Sequence, residues 1–202
     1  MISRSPEKVI KLHLVFILLL ANACLIFAAP KPAWSQQIFQ TRQSAIYYQN
    51  PAELREMEER LDFVPASDFS QRYFFAQDPL QTVFAPTLAV KVDGLLARVC
   101  LLLHRWPQDQ RLRIFLLQDG RQVLQRQLAL QPFRREPFFF GYGSLEGFYE
   151  PRTRSIFLSL ADLRKGTLAH EMAHHVLCAA SAIPPPEDLQ EEWARYVENH
   201  LD

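Results

Sequence analysis

Two histidines stand four positions apart in the segment Thr167 to His175 (TLAHEMAHH), and this spacing constrains the C-terminal part of the fold. On an α-helix, positions i and i+4 lie on one face about one turn apart. The rings of His170 and His174 can therefore converge on a single metal ion. Because Zn²⁺ accepts imidazole nitrogens in a tetrahedral site, the pattern H-E-x-x-H predicts a zinc site on a helix.

Glu171 directly follows the first histidine and is offset around the helix from the face that His170 and His174 share. From this position it approaches a water beside the metal rather than the metal itself. We expect Glu171 to act on that water as a general base. His175 points away from the ligand face and is expected to pack or to support a ligand.

A catalytic zinc site needs a third protein ligand and one open position. The extended pattern H-E-x-x-H-x-x-G-x-x-H is absent, so the third ligand lies elsewhere. After the proline-rich break Ile183 to Pro186, a second helix can return to the metal and offers Glu191 and Glu192. Helical periodicity alone does not decide which of these two carboxylates is the third ligand. Cys178 is a less favoured alternative.

The second helix resembles one in the gluzincin group of zinc metallopeptidases, where the pattern N-E-G-[aromatic or Leu]-A-x-[Tyr/Phe] follows H-E-x-x-H. This chain has QEEWARY there, over Gln190 to Tyr196. The resemblance implies that Glu191 is the third ligand and that the small Ala194 lets the two helices approach closely. The chain departs from the pattern at Gln190, in place of Asn, and at Glu192, in place of Gly.

The segment from Gly147 to Leu158 (GFYEPRTRSIFL) resembles the hairpin before the metal helix in small gluzincins. One of its strands is expected to line the cleft and pair with an extended peptide. The short tail after His174 is similar to that of the minigluzincins. The resemblance covers about residues 86–202 and implies an α+β, zincin-like fold there: a small mixed sheet packed on the metal helix, with one Zn²⁺ per chain.

Larger gluzincins stabilise the tetrahedral oxyanion with a downstream Tyr or His that has no matching position in this chain. Tyr149, Tyr142 and His200 are candidates for this role, and Tyr149 is the one that we carry forward; the alternative for each is a core position or a hydrogen-bonded surface position. Cys100 and Cys178 form either a disulfide or two buried thiols, because geometry cannot be read from spacing.

The pattern of apolar residues predicts an α+β order of elements. The elements are a surface helix over 51–61, a buried helix over 86–106, a strand over 111–117, an undecided helix or strand over 122–131, a strand–turn–strand unit over 138–149, a strand over 155–160, a helix capped by Thr167 and running to about Ala180, and a last helix from Pro186 to the C-terminus.

The first 35 residues have the pattern of an export signal. A basic start is followed by the apolar run Leu12 to Ala29, and we expect cleavage after Ser35. The alternative is an uncleaved membrane anchor, since the apolar run is long for a signal peptide. Lipidation at Cys24 is a weaker alternative. Residues 36–85 are interpreted as an N-terminal extension that resembles no known family.

The charge balance excludes a general nucleic-acid binder, because basic and acidic residues both number 22 and no basic block occurs. We expect membrane contact only through the N-terminal segment, if that segment is not cleaved. The sequence thus predicts an exported, periplasmic or secreted, zinc-dependent peptidase that acts on peptides or proteins. The alternative is a catalytically inactive exported module that keeps the fold for binding or structure.

Overall fold

Five short strands form one mixed sheet in the computed structural model, which describes residues 36–63, 87–107, 111–130 and 145–201. The strands are β1 (Gln37–Gln40), β2 (Ser44–Tyr48), β3 (Leu112–Leu117), β4 (Gly147–Glu150) and β5 (Ser155–Ser159). Their order across the sheet is β1-β2-β3-β5-β4. The central strands β2, β3 and β5 are parallel, whereas β1 and β4 pair antiparallel at the two edges.

Five helices accompany the sheet in the described part of the chain. They are α1 (Pro51–Arg60), α2 (Leu88–Leu103), α3 (Gly120–Leu130), α4 (Lys165–Ala179) and α5 (Glu187–Asn199). The predicted α+β class is therefore confirmed. No helix among the described residues is both long enough and apolar enough to cross a membrane.

The sheet separates two apolar clusters because neighbouring side chains on a strand point to opposite faces. Tyr149 of β4 belongs to the main core, together with residues of α1, α2, α4 and α5. Phe148 belongs to a smaller cluster with Val123 of α3. The metal helix α4 thus lies on the main-core face, where its residue Met172 is fully buried.

The sheet extends to the N-terminal side of residue 86, where the sequence analysis placed a domain boundary. β2 pairs in parallel with β3. The helix α1 lies mainly on the surface, as predicted, and its residue Met57 is fully buried in the main core. The turn after β1 is also attached to α2, since Thr41 Oγ1 and Arg42 N donate hydrogen bonds of 2.7 and 2.9 Å to buried Asp93. Residues 36–63 therefore share the sheet and core of the later residues.

The structure decides one element that the sequence left open and corrects one predicted helix cap. The undecided segment 122–131 is helical, as part of α3. Thr167 does not cap the metal helix, since α4 begins at Lys165 after an N-cap at Arg164. The Thr167 hydroxyl instead donates a 2.8 Å hydrogen bond to Glu146, so it satisfies a carboxylate and not the helix end.

Several predictions concern residues outside the described ranges. They are the export signal or anchor over 1–35, lipidation at Cys24, the first strand of the 138–149 unit, and Tyr142.

Candidate metal centre

The two C-terminal helices α4 and α5 form a helical hairpin, joined by the proline-containing segment 180–186. Their contacts run in opposite order along the two helices: Gly166 and His170 lie near Glu198, whereas His174 lies near Gln190. Ala194 is fully buried between these contact points, as its small side chain predicts. The antiparallel arrangement brings the middle of α5 against the histidine face of α4.

His170, His174 and Glu191 present one ligand atom each to a common point, within 4.8 Å of one another. The Nε2 atoms of the two histidines are 3.3 Å apart, and the Glu191 oxygens lie 3.5 Å from His170 Nε2 and 3.4 Å from His174 Nε2. Two imidazole nitrogens and one carboxylate fit the three-ligand set of a catalytic zinc site. Glu192 is exposed, so the geometry favours Glu191 of the two candidate carboxylates.

The pKa values at this cluster reflect its close contacts. Hydrogen bonds from His170 and His174 hold the pKa of Glu191 well below its usual range. Burial works to lower the pKa of His170, but the hydrogen bond to Glu191 and the charge of Glu171 outweigh it and raise that pKa. The ionised Glu191 carboxylate is thus available as a ligand.

Glu171 is buried on α4 with only 8% of its surface exposed. Burial raises its pKa, while the nearby His174 and His170 act in the opposite direction. The backbone N–H of Tyr149 donates a hydrogen bond to the Glu171 carboxylate and so connects it to edge strand β4. A raised pKa makes a carboxylate a stronger proton acceptor, as a general base requires.

The register of β4 explains why Tyr149 can donate to Glu171. Ser159 N donates a 2.8 Å hydrogen bond to Glu146 O, and hydrogen-bonded pairs alternate along an antiparallel ladder. The backbone N–H and C=O groups of Gly147 and Tyr149 therefore point away from β5, toward the outer edge of the sheet. β4 thus presents main-chain groups beside the general-base candidate.

The side chain of Tyr149 is directed differently from what the sequence analysis expected. Its hydroxyl lies 3.3 Å from Nδ1 of fully buried His175, and the two rings meet edge to face. Burial raises the pKa of this hydroxyl. The contact places Tyr149 in core packing rather than in oxyanion stabilisation, and it agrees with the packing role expected of His175.

His200, Cys100 and Cys178 also lie outside the group of residues that could hold a metal ion. The His200 ring contacts the Tyr196 carbonyl at 2.7 Å near the exposed end of α5. Cys100 and Cys178 are both free thiols, so the structure does not contain the considered disulfide. Cys178 donates a 3.4 Å hydrogen bond to the Gln190 side chain and is not part of the ligand group.

Two further residues, for which the sequence predicted no role, contact His170 and His174. Gln190 Oε1 lies 3.4 Å from His174 Nδ1, and its amide Nε2 is held by a 2.7 Å hydrogen bond to the Pro185 carbonyl. Glu198 Oε2 lies 3.3 Å from His170 Nδ1. A signal for Glu198 was present, because it stands seven positions after Glu191 and hence on the same helical face.

Comparison with known proteins finds no matching family model, no matching curated protein and no matching solved structure.

We predict that Gly147→Ala destabilises the protein by about 1–3 kcal/mol through overpacking. An added Cβ would lie 2.9 Å from Leu158 Cδ2 and 3.2 Å from the Phe157 carbonyl oxygen, and 3.5 Å from Glu171 Cγ. The carbonyl is fixed by the strand, so β4 has to move. Chemical denaturation of the metal-free protein measures the change.

Gly166→Ala is the matched control for this substitution. Its Cβ would meet the side chain of Glu198, which can shift, and alanine favours a helix over glycine. We expect its free energy of unfolding to equal or exceed that of the parent. Equal stability of the parent and Gly147→Ala would contradict the close packing of β4.

Proposed function

We propose that this protein is an exported zinc-dependent peptidase with a minimal zincin-like fold. The observation that carries the proposal is the convergence of His170, His174 and Glu191 next to a buried carboxylate, Glu171. Three protein ligands leave one position open for chemistry, whereas a structural zinc site is normally closed by four. Among the described residues, the ligand group has three members.

In this proposal, Glu171 takes a proton from the attacking water and delivers it to the leaving amine. A bound Zn²⁺ supplies the Lewis acidity that polarises the scissile carbonyl and activates the water. Burial raises the pKa of Glu171 and makes it the stronger base, while the Tyr149 N–H orients its carboxylate. The fixed geometry of α4 keeps this carboxylate next to the ligand histidines.

Strand β4, which is an edge of the sheet within the described residues, supports a peptide as the substrate. The outward N–H and C=O of Gly147 and the outward C=O of Tyr149 lie beside Glu171 and suit the addition of an extended chain as a further strand, whereas the Tyr149 N–H is already bonded to Glu171. Main-chain pairing of this kind recognises a peptide backbone largely independently of its side chains. A peptide or protein substrate is therefore the class that we propose.

Export is the part of the proposal that depends on the N-terminal sequence. The basic start and the apolar run Leu12 to Ala29 support transport across a membrane, with either cleavage after Ser35 or retention as an anchor. The proposed metal site lies in the C-terminal part of the chain, so it is compatible with cleavage of this segment and with its retention as an anchor.

The proposal is tested by measuring zinc content and hydrolysis of a peptide library by the purified chain. We expect about one zinc per chain, and hydrolysis that a chelator abolishes and added zinc restores. Failure to take up zinc would contradict the metal site. Zinc binding without hydrolysis of any peptide would favour the inactive binding module over the peptidase.

A further inference from the structure

We infer that Glu198 is a positioning residue for the metal centre: it holds the ring of His170 through Nδ1 so that Nε2 faces the metal. The inference rests on the metal site of the proposed function and adds a residue to it. The direct observation is the 3.3 Å contact between Glu198 Oε2 and His170 Nδ1.

The position of Glu198 on α5 accounts for this contact. Glu198 stands seven residues after Glu191, which places both carboxylates on the same face of the helix, two turns apart. One helix therefore supplies a ligand and, through a second carboxylate, a partner for a ligand on the other helix. The Glu198 side chain is 37% exposed, so it reaches His170 from the solvent side of the hairpin.

Gly166 makes room for this approach on α4, about one turn before His170. A Cβ at this position would lie 3.2 Å from Glu198 Cγ and 3.4 Å from Glu198 Oε1. These distances are shorter than most side-chain contacts, so a larger residue would displace Glu198. Gly166 is thus part of the same arrangement.

The contact with Glu198 determines which nitrogen of His170 can bind a metal. A carboxylate only accepts hydrogen bonds, so Glu198 favours a proton on Nδ1; when a metal takes the place of the Nε2 proton that faces Glu191, the remaining proton stays on Nδ1. Metal-ligating histidines commonly have such a partner, which fixes the tautomer and raises ligand basicity. At His174 the corresponding partner is the neutral amide of Gln190, so the two histidines receive different support.

Zinc affinity, measured by competition with a chromophoric chelator, tests the inference without reference to activity. We expect Glu198→Ala to weaken zinc binding by about 10- to 100-fold. Glu198→Gln should stay within about threefold of the parent, because its amide oxygen still accepts from Nδ1. Glu192→Ala is the control, since it removes an exposed carboxylate from the same helix.

Gly166→Ala tests the same contact from the other side. We expect it to weaken zinc binding in the parent but to have no added effect in the Glu198→Ala background, because both changes remove one interaction. A purely structural role for Glu198 would lower the stability of the metal-free protein and leave zinc affinity unchanged. Parental zinc affinity in Glu198→Ala would overturn the inference.

The failure of this inference can be distinguished from the failure of the proposed function. If the parent does not bind zinc, or if binding survives the loss of Glu191, the metal site itself is wrong. If zinc binding depends on Glu191 but not on Glu198, only the positioning role is wrong.

Discussion

Glu171→Gln is expected to lower peptide hydrolysis by about 10²- to 10⁴-fold, the usual contribution of a general base. Glutamine has nearly the same shape as glutamate but cannot take a proton from the attacking water. Glu171 is not a member of the ligand group, so zinc content should remain that of the parent. Turnover of a library-derived peptide, at equal zinc loading, measures the effect.

The control for this prediction is Glu192→Gln, which makes the same chemical change at an exposed position. We expect it to retain parental turnover. Full activity in the zinc-loaded Glu171→Gln protein would refute the proposed mechanism. Loss of zinc together with activity would instead show that Glu171 has a structural role at the site.

Glu191→Ala is expected to weaken zinc binding by more than about 100-fold, since the loss of an outer-shell partner alone costs about 10- to 100-fold. The substitution removes the carboxylate that lies 3.5 and 3.4 Å from the two histidine Nε2 atoms. Two imidazoles would remain, which is too few protein ligands for a stable zinc site. Chelator competition and elemental analysis measure the loss.

Glu192→Ala again provides the comparison, because it is the neighbouring residue and the other carboxylate that the sequence left open. We expect it to bind zinc like the parent. The reverse result, with Glu192 required and Glu191 dispensable, would mean that α5 is rotated relative to α4. If Glu191→Ala and Glu192→Ala both bind zinc as tightly as the parent, the third ligand is another residue.

Local patterns were sufficient to predict the helix that carries His170, Glu171 and His174. His170 and His174 are one helical turn apart, and this relation needs no knowledge of the rest of the chain. The choice of Glu191 over Glu192 came from a resemblance, and the geometry favours the same residue. Apart from α3, whose segment periodicity left undecided, the described helices and strands after residue 86 also follow from local periodicity.

Relations between distant residues could not be predicted in this way. The pairing of β2 with β3 joins strands far apart in the sequence, so residues 36–63 gave no sign that they complete the sheet. The Thr167 hydroxyl suits a helix cap locally, but Glu146 from another element takes its hydrogen bond. The sequence offered Tyr149 as a candidate site residue, yet its hydroxyl contacts His175.

The α4–α5 hairpin has a consequence for the order in which the molecule can assemble. The three residues that could hold a metal ion belong to two helices joined by a short loop, and the entropic cost of closing a loop grows with its length. The sheet instead requires β2 to meet β3, which lies more than sixty residues later in the sequence. If zinc binds there as proposed, its capture is a low-contact-order event, and zinc present during refolding should lead the C-terminal hairpin to form ahead of the sheet.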